Sequence, residues 1–299
     1  MNFKLNQQIF SERYLNNEIE VFIKRLDLID PFISGNKLFK LKHNVNRALL
    51  EKKNMLITFG GAFSNHILAT AAYAKKKNID CLAIVRGEEY SELNPLLTQA
   101  KEYGMNFCFV SRKEYAKRND NNYISELIRK YKKAFIVPEG GNNKLGVSGA
   151  EEILEKQDKS FDYIICPIGT GATLSGIVNS SKKTQKVIGV NCVNETIYIN
   201  KKISQKTNKN NWEIINEFNF GGFAKFDNLL TEYLKKFKLN YKITLDLNYT
   251  AKMFFGFEKL IERRYFHRKS KVLLIHTGGT YGNLGFNYLY DLDLPYESN

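Results

Sequence analysis

Cysteine, histidine, tryptophan and proline are scarce in this chain of 299 residues, which contains 4, 4, 1 and 5 of them. The cysteines occur singly and the histidines form no HExxH motif, so we expect neither a disulfide framework nor a metal site. No apolar run reaches the roughly 18 residues of a membrane span, and the start of the chain lacks the apolar core of a signal peptide. These absences predict a cytoplasmic protein that does not bind a membrane.

Positive charge, by contrast, is plentiful. Lys and Arg number 45 against 31 Asp and Glu, which gives a formal net charge of +14. A nucleic-acid-binding protein concentrates such charge on one face, arm or motif, whereas here short lysine runs are spread along the whole chain, mostly at the ends of segments with helical periodicity. We therefore expect no nucleic-acid partner and keep a basic nucleic-acid-binding module only as a disfavoured alternative. The charge suits an anionic substrate or cofactor.

Short apolar runs alternate with longer segments of helical periodicity. The runs are nearly all apolar and do not alternate, as in parallel strands that are covered on both faces. The predicted strands are 56–60, 81–85, 106–110, 134–137, 163–166, 187–193, 243–247 and 272–276. Because this number is high for one sheet, we predict an α/β protein with two three-layer α/β/α domains and mainly parallel sheets.

Glycine-rich loops follow several of these strands, at the edge where parallel α/β proteins bind ligands. They read FGGAFSNH at 59–66, PEGGNN at 138–143, IGTGATLSG at 168–176 and HTGG at 276–279. The loop at 168–176 offers backbone N–H groups and hydroxyls to a phosphate, yet it lacks the GK[ST] ending of an NTP site and the GxGxxG spacing of an NAD site. Together with the lysine of SGNK at 34–37, it suggests a covalently held phosphorylated cofactor such as pyridoxal 5′-phosphate.

Six segments make the pattern specific. They are SGNKLFKLKHN, FGGAFSNHILATAAYA, EGGNNKLGVSG, IGTGATLSG, NYTAKMFFGFEKLI and IHTGGTYGNLGF. In order and spacing, from residue 21 to residue 286, the chain resembles the 1-aminocyclopropane-1-carboxylate (ACC) deaminase/D-cysteine desulfhydrase family of fold-type II pyridoxal-phosphate enzymes, relatives of the tryptophan synthase β chain. The resemblance implies pyridoxal phosphate, a small amino-acid substrate and a homodimer. It also implies a small domain at 51–150 and a large cofactor-binding domain made of 1–50 and 151–299.

The resemblance further implies roles for single residues. Lys37 matches the lysine that binds the cofactor covalently, Lys40 a phosphate-contacting lysine and Asn65 the residue that binds the pyridoxal 3′-oxygen. Ser64 and Tyr249 match catalytic residues beside the substrate. The implied phosphate site consists of Gly169, Thr170, Gly171, Ala172 and Thr173, where Ala172 replaces a hydroxyl residue of some members. The implied substrate-binding residues are Ser64, Asn65, His66, Phe223, Tyr249 and Thr277.

Two positions distinguish the branches of the family. ACC deaminases have Glu after the active-site tyrosine and Leu after the histidine of the His-x-Gly-Gly motif, whereas this chain has Thr250 and Thr277. A carboxylate beside the pyridine nitrogen keeps it protonated and makes the ring a strong electron sink, and a hydroxyl at the cofactor-binding position of Thr250 carries no such charge. We therefore predict a lyase that catalyses β-elimination from D-cysteine or a similar small amino acid, with ACC deaminase as the alternative.

Phe223 departs from the family pattern, because it occupies a position that resembles a second active-site tyrosine. Its ring cannot make the hydrogen bond of a phenol to the substrate or to Tyr249. One interpretation is simple packing with activity retained. The other is an altered substrate or weak desulfhydrase activity.

Overall fold

The computed structural model describes residues 5–30, 33–88 and 92–297. Its strands are β1 (Asn6–Ile9), β2 (Glu20–Arg25), β3 (Met55–Gly61), β4 (Asp80–Arg86), β5 (Met105–Val110), β6 (Ala134–Val137), β7 (Tyr163–Ile168), β8 (Lys186–Asn191), β9 (Trp212–Ile215) and β10 (Lys271–His276). Its α-helices are α1 (Glu12–Asn16), α2 (Asn36–Leu50), α3 (Asn65–Lys77), α4 (Pro95–Glu102), α5 (Arg112–Tyr115), α6 (Asn121–Lys130), α7 (Lys144–Glu151), α8 (Ala172–Ser180), α9 (Thr196–Ser204), α10 (Asn228–Tyr241), α11 (Thr250–Glu262) and α12 (Gly282–Tyr290). None of the described helices is both long and apolar enough to cross a membrane.

The strands form two sheets. The larger has six strands in the order β1-β2-β10-β7-β8-β9, and the smaller has four in the order β5-β4-β3-β6. Every pairing is parallel except that of β1 with β2. The predicted α/β architecture with two mainly parallel sheets is therefore confirmed.

Each sheet is buried on both faces, which explains the unbroken apolar runs. In the larger sheet, Ile165 packs into the core on one face and Ile164 into the core on the other. In the smaller sheet, Leu56 packs into the core on one face and Ile57 into the core on the other. Successive side chains of a strand point to opposite faces, so a strand covered by helices on both sides favours apolar residues at successive positions.

The strand predicted at 243–247 is wrong. The segment is buried but runs as an irregular stretch before α11. Side chains, and not a neighbouring strand, pair its backbone: His276 Nε2 donates to the carbonyl of Thr244 at 2.7 Å, and Asn283 Nδ2 donates to that of Leu245 at 2.8 Å. Since buried backbone groups need partners of some kind, these polar side chains allow an apolar run to remain irregular.

The domain division at residues 50 and 150 stays a proposal. The strands of the smaller sheet all lie between 55 and 137, in agreement with it. Helix α2, however, sends Leu41 and Val45 into the core of the smaller sheet, while its Phe39 packs against a core of the larger one. Helix α2 therefore joins the two sheets, and its first turn lies where they meet.

Strand β2 was not predicted from the sequence, because it contains a charged residue that is buried in the fold. Lys24 is only 1% exposed, and its Nζ lies 2.7 Å from Asp158 Oδ2 and 2.9 Å from Glu155 Oε2. Asp158 is itself completely buried and also accepts a hydrogen bond from Asn6 Nδ2. The pair ties the β1–β2 edge to the segment that precedes β7.

Lys24→Met should lower the free energy of unfolding by about 3–5 kcal/mol, because it leaves the Asp158 carboxylate buried without its cation. Urea denaturation measures the change. The control Lys77→Met, at an exposed position of α3, should stay within about 0.5 kcal/mol of the wild type. A loss below about 1 kcal/mol for Lys24→Met would contradict this account of the buried pair.

Candidate active site

Loops from both sheets meet at the carboxyl ends of β3, β7 and β10, and Asn36 is the centre of their contacts. Its backbone N–H donates to the carbonyl of Thr277 at 3.2 Å, and its Nδ2 donates to Thr173 Oγ1 at 2.8 Å. On the side of the smaller sheet, Asn65 Nδ2 donates to the carbonyl of Gly279 at 3.0 Å. The loops that the sequence identified separately are therefore bonded to one another.

Gly35 makes the approach of the first loop possible. Its φ of 62° lies in the left-handed region, and a Cβ atom at this position would lie 1.8 Å from the carbonyl oxygen of Thr277. Only glycine combines this conformation with that proximity. The Ser34–Gly35 turn thus sets helix α2 directly against the loop after β10.

Two lysines of the first turn of α2 enter the site. Burial lowers the pKa of Lys37 to about 8, although the charge of Asp246 opposes the shift. Its Nζ donates to Asn36 Oδ1 at 3.0 Å. Lys40 is 3% exposed, and burial and the neighbouring Lys37 together hold its pKa well below the usual range. Near neutral pH an appreciable fraction of Lys37 is a free amine, which is the form that attacks an aldehyde or takes a proton.

The loop 169–173 leads into helix α8. Gly171 precedes the helix with φ of 86°, and the backbone N–H groups of the first helical turn point out of the helix, as an anion site requires. Thr170 packs against Gly140, where a Cβ atom would lie 3.0 Å from Thr170 Cγ2. The arrangement agrees with the predicted phosphate loop.

Ser64 and Asn65 hold the start of α3 in the site. The Ser64 hydroxyl caps the helix by accepting from the backbone N–H groups of His66 and Ile67. The Asn65 amide lies so close to Gly279 and Gly282 that a Cβ atom at either position would come within 2.8 Å of it. Both side chains therefore make contacts within the protein in addition to any contact with a ligand.

The imidazole of His66 has one ring nitrogen that can accept a hydrogen bond from a ligand. Its Nε2 lies 2.8 Å from the hydroxyl of Thr58, which itself donates to the carbonyl of Val137, so Nε2 is the donor of the ring. Burial, with further contributions from Lys37 and Lys40, holds the pKa of His66 well below its usual value. The remaining ring nitrogen, Nδ1, is buried and has no hydrogen-bond partner in the described structure.

Tyr249 and Phe223 form an aromatic wall of the site. The Tyr249 ring lies against Gly169, where a Cβ atom would come within 2.9 Å of it. Burial, and then the charge of Asp246, raises the pKa of Tyr249, so its phenol stays protonated. The Phe223 ring lies 6.2 Å from that of Tyr249 and is 45% exposed. The predicted pair is brought together, with Phe223 on the solvent side.

Three residues of the site were not identified from the sequence. Asn36 and Asp246 have polar contacts at its centre, and Lys206 lies near enough to Lys40 to lower its pKa. Asp246 is 2% exposed and accepts a hydrogen bond from the Thr250 hydroxyl at 2.8 Å. The signal that could have revealed it is an Asp four residues before Thr250, since Asp commonly accepts from backbone N–H groups at a helix start.

Comparison with known proteins defines the class. The family described as "Pyridoxal-phosphate dependent enzyme" matches residues 7–278. A solved structure described as "Crystal Structure Analysis of the ACC deaminase homologue" matches with a TM-score of 0.80 and 25% identity, covering 96% of this chain and 93% of the other. The chain is therefore a pyridoxal-phosphate dependent enzyme of fold type II.

Two relatives indicate the family within this class of enzymes. A Thermotoga maritima protein named "Putative 1-aminocyclopropane-1-carboxylate deaminase" is 30% identical, over 91% of this chain and 91% of its own. An Arabidopsis thaliana protein named "Bifunctional D-cysteine desulfhydrase/1-aminocyclopropane-1-carboxylate deaminase, mitochondrial" is 29% identical, over 90% of this chain and 74% of its own. The chain belongs to the ACC deaminase/D-cysteine desulfhydrase family, which confirms the predicted family and cofactor.

The residues present fit pyridoxal phosphate. In the described part of the chain, no carboxylate pairs with Lys37 or Lys40, so two largely buried amines face the site without an ion-pair partner. A phosphate group would supply the missing negative charge between Lys40 and the start of α8. We infer that Lys37 binds the cofactor covalently, that Lys40 and 169–173 hold its phosphate, and that Asn65 contacts its ring. Thr250, which the sequence predicts to contact the cofactor, is completely buried, and its hydroxyl hydrogen-bonds Asp246.

Lys37→Ala should abolish covalent attachment of the cofactor, because it removes the amine that we assign to the bond, while Lys40 is assigned to the phosphate. Borohydride reduction followed by peptide mass spectrometry measures the attachment. Lys42→Ala, at an exposed position of the same helix, should keep it. Cofactor fixed to Lys40 or to another lysine in the wild-type enzyme would show that the assignment is wrong.

Proposed function

We propose that the protein catalyses β-elimination from D-cysteine or a similar small amino acid and releases pyruvate, ammonia and sulfide. The Cα–H and Cβ–S bonds of the substrate break, and one water molecule enters as the amino carbon becomes a ketone. The observation that carries the proposal is Thr250: a neutral hydroxyl, and no carboxylate, directly follows Tyr249 at the start of α11. Elimination of sulfide makes a smaller demand on the electron sink than ring opening does, because the leaving group stabilises its own electrons.

Pyridoxal phosphate, when bound, supplies an aldehyde for the substrate amine and a ring that accepts the electron pair of the broken Cα–H bond. The side chains of the protein supply the groups that take up a proton and that contact the leaving group. Lys37, with a pKa of about 8, would be suited as a free amine to remove the Cα proton of the substrate. Tyr249 stays a neutral phenol beside Gly169 and can donate a hydrogen bond to the leaving group.

The substrate itself meets polar groups from α3 and an aromatic wall. Ser64 and Asn65 offer a hydroxyl and an amide at the start of α3, where the helix dipole favours a carboxylate. His66 Nδ1 is an acceptor that can only receive a proton donor, such as the substrate amine. Thr277 lies in the loop after β10, where its carbonyl accepts from the backbone N–H of Asn36.

ACC deaminase is the second candidate. Asp246 favours it, because this carboxylate lies one hydrogen bond behind Thr250 and so restores some of the charge that Thr250 lacks. The names of relatives such as the Thermotoga maritima protein point in the same direction. The two reactions give different products. β-Elimination from cysteine releases sulfide and a three-carbon oxo acid, whereas deamination of ACC releases a four-carbon oxo acid and no sulfide.

The purified enzyme with bound cofactor should release sulfide and pyruvate from D-cysteine and turn over ACC at a far lower rate. Parallel assays of D-cysteine, L-cysteine, D-serine and ACC measure this preference, with Lys37→Ala as the control for reactions of the free cofactor. Turnover of ACC without any turnover of D-cysteine would refute the proposal and support the second candidate.

Phe223→Tyr should raise kcat/KM for D-cysteine about fivefold, which corresponds to one added hydrogen bond of about 1 kcal/mol. Its ring is near that of Tyr249 and borders the solvent, so a phenol fits without a cavity change. Phe226→Tyr, whose ring packs against Phe286, is the matched control and should leave the constant unchanged. Equal constants for Phe223→Tyr and the wild type would favour simple packing.

A further inference from the structure

Helix α11 contains a buried lysine that hydrogen-bonds a loop. Lys252, in the first turn of the helix, is completely buried, and its Nζ donates to the backbone carbonyls of Asn219 at 2.9 Å and Gly222 at 2.6 Å. In the part of the chain that the structure describes, no carboxylate forms an ion pair with it. Burial lowers the pKa of Lys252. Since an unpaired buried cation is unfavourable, an apolar side chain would stabilise this position more unless the two hydrogen bonds are needed.

The loop 219–224 is hydrogen-bonded on both sides of Phe223. The carbonyl of the residue before Phe223 accepts from Lys252, and the backbone N–H of the residue after it donates to Asn248 Oδ1 at 2.9 Å. Asn248 and Lys252 themselves lie on either side of Tyr249 in the sequence. The two hydrogen bonds therefore hold the backbone of Phe223 against the segment that carries Tyr249, and the two rings lie 6.2 Å apart.

The backbone of this loop is strained. Phe220 and Ala224 have φ values of 53° and 57°, in the left-handed region that residues other than glycine seldom adopt. Such a conformation persists only where contacts from the rest of the protein hold it. The hydrogen bonds from Lys252 are contacts of this kind, so we expect the loop to relax when they are removed.

We propose that Lys252 is a positioning residue for the substrate site: its buried ammonium holds the loop 219–224 against helix α11 and thereby keeps the Phe223 ring beside Tyr249. Because Lys252 is completely buried, it acts through the loop and not by contact with a substrate. The proposal rests on the proposed function in one respect, the assignment of Phe223 and Tyr249 to the substrate site. It is independent of which amino acid reacts there.

The position of the loop should affect substrate binding more than the chemical step. When the loop relaxes, only the fraction of molecules with Phe223 beside Tyr249 binds substrate as the wild type does, and the apparent affinity falls by that fraction. A substrate that is bound then meets the same groups as in the wild type. Loss of the Lys252 hydrogen bonds should therefore raise KM and leave kcat nearly unchanged.

Hydrogen exchange followed by mass spectrometry, on the enzyme with cofactor and without substrate, measures whether Lys252 holds the loop. Lys252→Met removes both hydrogen bonds, so the peptide that contains 219–225 should exchange about tenfold faster, with the strands of the larger sheet unchanged. Lys225→Met, the same substitution at an exposed position beside the loop, should match the wild type. Lys252→Gln keeps an amide donor and should show a smaller increase, so it provides the test where Lys252→Met does not fold.

The kinetics of the same variants are the second readout. With whichever of D-cysteine and ACC the wild type turns over, Lys252→Met should raise KM about tenfold and keep kcat within about twofold, as expected when about one molecule in ten has the loop in place. Unchanged exchange of the loop, faster exchange throughout the protein, faster loop exchange with an unchanged KM, or a loss of kcat alone would overturn the proposal. Because exchange is measured without substrate and the kinetics accept either substrate, a failure of the proposed β-elimination would not change these results.

Discussion

The close contact between Gly35 and the carbonyl of Thr277 fixes the geometry on which the rest of the site depends. It allows the chain to turn into helix α2 directly beside the loop that ends β10, and Asn36 then hydrogen-bonds both that loop and Thr173. One helix start is thereby attached to the ends of two neighbouring strands of the larger sheet. The same helix continues into the core of the smaller sheet, so Lys37 lies where the two sheets meet.

Electrostatics then determine what this junction can bind. Burial destabilises the charged forms of Lys37 and Lys40 and lowers the pKa of both. His66 is held neutral by the same burial and the same two neighbours. The site therefore combines a reactive amine, a second amine suited to an anion and an uncharged imidazole. Asp246, which is hydrogen-bonded to Thr250, adds a negative charge that acts on Lys37.

Much of this was predictable from local pattern. Seven of the eight strands predicted from apolar runs are present, because a strand buried on both faces favours apolar side chains on both. Glycine at 35 and 171 marked turns that only glycine tolerates, and the spacing of the motifs indicated which residues share the site. These features depend on neighbours in sequence or on a pattern that many family members share.

Contacts between distant segments could not be predicted in this way. In the sequence, Lys24 is a charge that interrupts an apolar run and argues against a strand. Only the fold brings it to its partner Asp158, 134 residues away. The segment 243–247 reads as a strand because the side chains that bond its backbone, from His276 and Asn283, come from elsewhere in the chain. Asp246 lies within that segment, so its hydrogen bonds to Tyr249 and Thr250 became visible only in the fold.

The most direct test of the whole account is a crystal structure of the enzyme with its cofactor. The account predicts density continuous from Lys37 Nζ into the cofactor, with the phosphate at 169–173 beside Lys40 and the ring beside Asn65. A cofactor joined to another lysine, or a phosphate bound elsewhere, would contradict it.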